Sequence, residues 1–268
     1  MQNISDSFLN ALLADATYAF DRNREDLSSA ALVDALRSRM PTRLAEYVAA
    51  NVSLITHFET DDVLESGFDA SVWKRSDGRA YISMRGSEGL ADFVSDADLV
   101  LNGGARAQIA DMVNWWLRIT THQNETVPQV RWVPSPSANA NGQLRYFELA
   151  APVAGAGLLT GATSLELNGH SLGGHLATAF ARIFGVSTSI EHISTFNSAG
   201  FTSSSNVIFQ NLQSLLGTGS ASFPNAAQQS NYFASNGLNV TTNSFWFSQI
   251  GQRVEVFNED GTGVSNHY

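Results

Sequence analysis

Leu165-Glu166-Leu167-Asn168-Gly169-His170-Ser171-Leu172-Gly173-Gly174-His175-Leu176-Ala177 contains Gly-x-Ser-x-Gly between two different periodicities. Residues 164–168 read as a short strand, and residues 174–184 read as a helix. A serine on so sharp a strand-to-helix turn adopts strained backbone angles, so small residues are required on both sides. Gly169 and Gly173 supply that room, and Gly174 lets the helix pack close to the sheet. The turn lifts the Ser171 hydroxyl clear of the strand end. It also sets the Leu172 amide at a helix N-terminus, where partial positive charge can stabilise an oxyanion. A bare Gly-x-Ser-x-Gly arises often by chance; the strand before it and the helix after it make this one specific.

Outward from the turn, another strand spans Glu191 to Phe196, and strand–helix–strand implies a parallel crossover. Before it come helical patterns at 5–20, 29–39, 42–50 and 105–121, the last carrying Trp115 and Trp116, of which at least one belongs in a core. Val52 to Phe58, Ala70 to Lys74 and Ala80 to Met84 read as strands, the last two joined by the hairpin signal Ser76-Asp77-Gly78. Residues 134–145 read as a loop. After the elbow, 201–236 is a long connection with the apolar pattern Val207, Ile208, Phe209, Leu212, Leu215, Leu216, followed by strands at Leu238 to Thr242 and Arg253 to Phe257. The expectation is one α/β domain over 1–268, with an antiparallel beginning and a mostly parallel centre. Long connections in compact domains often serve as lids or binding loops, so 201–236 is expected to be a helical cap, with a plain packing insertion as the alternative.

Composition narrows the function classes. The 268 residues carry 25 acidic and 15 basic side chains, a net charge of −10, and Lys74 is the single lysine. Nucleic acid and anionic lipid both favour a basic face, so neither is an expected electrostatic partner. There is no cysteine, which excludes disulfides, thiolate nucleophiles and Cys-type zinc sites. No apolar run approaches the roughly 20 residues of a spanning helix. No EF-hand, His-Glu-x-x-His or phosphate-loop pattern is present, so no metal or cofactor is expected; Asp61-Asp62 reads as a solvated turn, although structural calcium can use such carboxylates. Residues 1–20 lack Lys and Arg and read as an amphipathic helix rather than a secretory signal. The composition fits an exported bacterial enzyme without a cleavable signal in this chain, and fits a cytoplasmic one nearly as well.

Gly169-His170-Ser171-Leu172-Gly173-Gly174 resembles the nucleophile elbow of the α/β-hydrolases, in particular the class 3 lipases. Tyr81-Ile82-Ser83-Met84-Arg85-Gly86-Ser87, with Asp92-Phe93-Val94-Ser95-Asp96 after it, is similar to that family's strand ending in Arg-Gly-Thr or Arg-Gly-Ser and its Asp-Trp-x-x-Asp segment. Thr195-Phe196-Asn197-Ser198-Ala199-Gly200 is a looser match to the turn after the nucleophile crossover. The resemblance covers residues 50–268. It implies an α/β-hydrolase fold and a serine carboxylic-ester hydrolase acting on lipid esters, with phospholipase A1 or short-chain esterase chemistry as the alternative. It also implies that Ser87 joins Leu172 in the oxyanion hole. Arg85 is expected to pair with Asp92 or Asp96.

A serine nucleophile needs a base, and in this fold the order is Ser, acid, His. Of the six histidines only His267 follows the last strand, so it is the expected base. It stands next to the last residue, which raises the expectation that the sequence is a domain of a longer chain. The resemblance places an acid after the penultimate strand, read as Leu238 to Thr242, where the sequence offers Asn243 and Ser244 instead. Glu191, Glu255, Glu259 and Asp260 are the acids between Ser171 and His267. Asp260 comes first by its nearness to His267, with Glu259, Glu255 and Asn243 open. Without a competent acid, a non-catalytic lipid- or ligand-binding domain is the reading of another class.

Overall fold

A computed structural model describes residues 3–20, 23–25, 27–60, 66–86, 104–138, 142, 144–160, 164–202, 205–234 and 248–256. Asn3 caps the first helix, α1 (Ile4–Ala16), by accepting the Asp6 N–H at 2.9 Å. A 3-10 turn, Thr17–Ala19, follows at once. Helices α2 (Ser29–Leu36) and α3 (Thr42–Asn51) come next, α2 capped by Ser28 and α3 entered through Pro41.

Among the described residues, eight strands form one sheet. Its antiparallel half is β1 (Arg24–Glu25), β2 (Val52–Glu59), β3 (Asp69–Arg75) and β4 (Ala80–Met84). Its parallel half is β7 (Leu165–His170), β8 (Ile190–Phe196), β9 (Gln229–Ala234) and β10 (Gln252–Val256), in the order β1-β2-β3-β4-β7-β8-β9-β10. A separate antiparallel ribbon pairs β5 (Thr126–Trp132) with β6 (Phe147–Ala154). Helices α4 (Gly104–Thr120), α5 (Leu172–Phe184) and α6 (Ser205–Leu216) complete the described elements.

The sheet is covered on both faces. One apolar layer brings α4, α5 and α6 onto Val72, Ile82, Leu165 and Leu167, and both Trp115 and Trp116 are buried in it. The other brings α1, α2 and α3 onto Leu54, Trp73 and Tyr81. Every residue of α5 is buried, which its small Gly173, Gly174, Ala177, Ala179 and Ala181 make possible by close approach to sheet and helices. Its Arg182 donates to Gln213 Oε1 at 2.7 Å and to the Ala221 carbonyl.

Beneath α1 the sheet is polar. Asn10 donates from Nδ2 to Glu166 Oε2 at 2.6 Å and accepts from Asn168 Nδ2 at 2.9 Å. Arg79 reaches the other Glu166 oxygen at 2.8 Å. Ser7 bonds the Tyr232 hydroxyl at 2.7 Å, and His192 bonds Ser230 at 3.0 Å. Burial raises the Glu166 carboxyl above its ordinary range, and the Asn10 and Arg79 bonds oppose that rise.

The connection 201–236 contributes α6 and β9, and its Phe201, Ile208, Phe209 and Leu212 are buried in the core. β9 takes the sheet position beside β10 that had been given to Leu238 to Thr242, a range outside the described residues. The ribbon strands β5 and β6 flank the expected 134–145 loop and had not been anticipated.

Candidate active site

Ser171 follows the last residue of β7 and precedes the first of α5, with φ 54° and ψ −122°. Only Ser171 and Asn197 combine a side chain with positive φ among the described residues. That region disfavours L-residues by about 1–3 kcal/mol, so the surrounding contacts must hold the turn. They do. The Ser171 amide donates to the Phe196 carbonyl at 2.9 Å, and the Ser171 carbonyl accepts from Gly174 at 3.1 Å. A Cβ on Gly169 would strike the Gly173 backbone, one on Gly173 would strike the Met84 carbonyl, and one on Gly174 would lie 2.8 Å from Ser198 Cβ. All three glycines of the elbow are therefore required by close approach. Leu172 opens α5, so its N–H belongs to the first turn, which lacks intrahelical acceptors.

The elbow stands at the carboxyl ends of the parallel strands, where open α/β sheets place their sites. Asn197 directly follows the neighbouring strand β8. Its N–H donates to the Tyr232 carbonyl at 2.8 Å and its Oδ1 accepts the Ala234 N–H at 3.0 Å, which fixes the end of β9. On the other side, β4 runs parallel to β7 with Met84 opposite Gly169. Gly86, just beyond β4, lies so close that a Cβ there would sit 2.6 Å from the His170 carbonyl and 3.1 Å from Ser171 Cβ.

Arg85 forms an ion pair with Asp69 at 2.7 Å, with Glu59 at 3.9 Å. These acids belong to β2 and β3, whereas the expected partners Asp92 and Asp96 lie outside the described residues. Asp69 and Arg85 meet across the open end of the β3–β4 hairpin, one position beyond the Ala70–Met84 pair.

Ser87, His267, Asp260, Glu259 and Asn243 lie outside the described residues. The other five histidines have defined places. His57 is buried on β2, with Nδ1 2.9 Å from Ser71 Oγ and Nε2 3.5 Å from Asp69, and burial pushes it down to about 3. His175 is buried in α5 against the Phe201 ring at 4.0 Å; its Nδ1 donates to the Gly200 carbonyl at 3.1 Å, and burial pushes it down to about 4. His192 bonds Ser230 beneath α1, and His122 is exposed beyond the far end of α4. His170 adjoins Ser171, and its Nδ1 lies 3.4 Å from the Tyr18 hydroxyl. Glu255 is exposed on the edge strand β10, and Glu191 pairs with Arg79 near the start of β8, at the opposite end of that strand from Ser171. Among the described residues β9 is the strand paired with β10, and Leu238 to Thr242 and the Asn243 that follows lie outside them.

Tyr18 is the residue near this site that sequence reasoning missed. Its hydroxyl accepts the Gly86 N–H at 2.9 Å, and burial raises its pKa so that it stays protonated. No spacing links residue 18 to 86 or 170; the signal exists only in three dimensions. Cavities of about 480 and 530 Å³ lie at the opposite end of the sheet, around Ile190 and Leu165. Among the described residues there is no cluster of His, Asp and Glu able to hold a metal, and no helix is long and apolar enough to cross a membrane.

The sheet order, the helices on both faces and the strained serine between β7 and α5 define an α/β-hydrolase fold. Comparison with solved structures agrees. The chain is similar to the Lip2 lipase of Yarrowia lipolytica with a TM-score of 0.50 and 13% identity, over 96% of this chain and 80% of that one. For the nonglycosylated form of that lipase the TM-score is 0.52 at 13% identity, over 96% and 81%. No protein-family profile matches the sequence, and no curated protein is significantly similar to it.

Proposed function

We propose that the chain is a serine carboxylic-ester hydrolase of the class 3 lipase type, acting on lipid esters through an acyl-enzyme. The observation that carries this reading is the backbone of Ser171, held at φ 54° at the carboxyl end of β7, where Gly86, Gly169, Gly173 and Gly174 permit the close approach of the surrounding chain. A binding module has no use for that strain. Ser171 Oγ attacks the ester carbonyl while His267 takes its proton, and Asp260 orients the imidazole. The Leu172 and Ser87 amides hold the oxyanion. The leaving alcohol takes the proton back from His267, and water then releases the fatty acid by the same steps. The buried and bonded state of His57, His175 and His192 supports His267 by elimination. The similar structures are of a lipase, which makes lipid esters the first substrates to test.

Hydrolysis of p-nitrophenyl esters from two to eighteen carbons, with Ser171→Ala as control, tests the reading. The expected result is activity that peaks at long chains and falls by at least about a thousandfold in the variant. Activity confined to short chains makes the protein an esterase. No serine-dependent turnover on any ester returns it to the ligand-binding class.

A further inference from the structure

Tyr18 lies far from the strands in sequence, yet it meets both walls of the candidate site. It occupies the 3-10 turn that ends α1. Its hydroxyl accepts the Gly86 N–H at 2.9 Å and lies 3.4 Å from His170 Nδ1. A Cβ on Gly86 would be 2.9 Å from that hydroxyl and 3.1 Å from Ser171 Cβ, so phenol, Gly86 peptide and elbow converge on one point. The ring itself is held firmly. The Arg39 guanidinium lies 5.1 Å from its centroid and the Arg85 guanidinium 5.4 Å. Arg39 is tied to Asp15 of α1 and Arg85 to Asp69 of β3.

We propose that Tyr18 is a positioning residue: its hydroxyl fixes the Gly86 peptide, and with it the chain leaving β4, against Ser171. The inference rests on the reading of Ser171 as the nucleophile. Tyr18 acts through the peptide and not on substrate. Hydrogen bonds are directional, and a buried N–H that loses its acceptor drives the peptide to turn toward another. Displacement of about 1 Å near reacting atoms lowers turnover by about a hundredfold, while binding of the acyl chain elsewhere is unaffected.

Tyr18→Phe keeps the ring and both cation contacts and removes one oxygen. On the p-nitrophenyl ester turned over fastest, kcat is expected to fall about ten- to a hundredfold with KM within about twofold. Hydrogen–deuterium exchange at the Gly86 amide is expected to speed up in the same variant. Asn10→Ala is the control for stability alone: it loosens α1 without touching Tyr18, and its kcat is expected to stay within about twofold of wild type below the unfolding transition. A Tyr18→Phe protein with wild-type kcat, or with unchanged Gly86 exchange, overturns the inference while activity abolished by Ser171→Ala leaves the nucleophile reading intact. Equal loss of kcat in Asn10→Ala also overturns it, by reducing Tyr18 to a packing residue. A wild-type chain without Ser171-dependent activity overturns both.

Discussion

Ser171 keeps a side chain where only glycine rests without strain. In the proposed mechanism its hydroxyl is the nucleophile; Ser171→Gly and Ser171→Ala both remove it, but only glycine relieves the backbone. Ser171→Gly is therefore expected to be more stable than Ser171→Ala by about 1 kcal/mol, seen as a melting temperature about 2 °C higher. Equal melting temperatures would mean that the turn is relaxed, and would remove the argument that the strain marks a reactive serine. The neighbouring glycines are constrained differently. At Gly169, Gly173 and Gly174 the φ values are unexceptional and the constraint is contact with backbone or with Ser198.

At the scale of elements, α1 is pinned to the sheet by polar bonds as well as by the apolar layer it shares with α2 and α3. Asn10→Ala strips partners from Glu166 Oε2 and Asn168 Nδ2 together, both buried. The expected loss is about 2–4 kcal/mol in urea unfolding; a loss under about 0.5 kcal/mol would show that water replaces the amide. This polar layer also explains what could be read in the sequence. β2, β3, β4, β7 and β8 were legible because their apolar residues follow a strand period, and the elbow because its glycines stand at fixed offsets. β9 was hidden because Gln229, Ser230 and Asn231 are buried by bonding to Thr178, His192 and Gln249 rather than by being apolar. β5 and β6 were hidden by Pro128, which sits at a register shift, and by Pro152 in an exposed strand. The turn at Ser171 and Leu172 was legible because its backbone is set by local sequence. Tyr18 escaped because its partners, Gly86 and His170, lie 68 and 152 residues away, whereas the Asp69–Arg85 pair lies at the end of the hairpin and follows from its register.

For the molecule as a whole, burial of neutral histidines sets the response to acid. His57 and His175 titrate at about 3 and about 4 in the folded chain, below the ordinary 6.5. The folded state thus binds fewer protons than the unfolded one between pH 6.5 and those values, so stability falls as pH falls through that window. Glu166 works in the opposite sense, since its raised pKa favours the folded form on acidification. The two large histidine shifts outweigh it. The unfolding free energy is expected to drop by several kcal/mol between pH 7 and pH 4, measured by urea titration at each pH; a flat or rising profile would mean that these rings protonate in place. The path of the chain carries a further consequence. Asn10 waits for Glu166, 156 residues later, and Tyr18 for His170, 152 residues later. At synthesis rates of about 5–20 residues per second, the first helix leaves the ribosome about 10–30 seconds before the strand it docks on exists. Its apolar face can settle on Leu54, Trp73 and Tyr81 as soon as those strands emerge, but Asn10 has neither Glu166 nor Asn168 to bond until β7 is made, so the surroundings of Ser171 are among the last parts of the molecule to assemble.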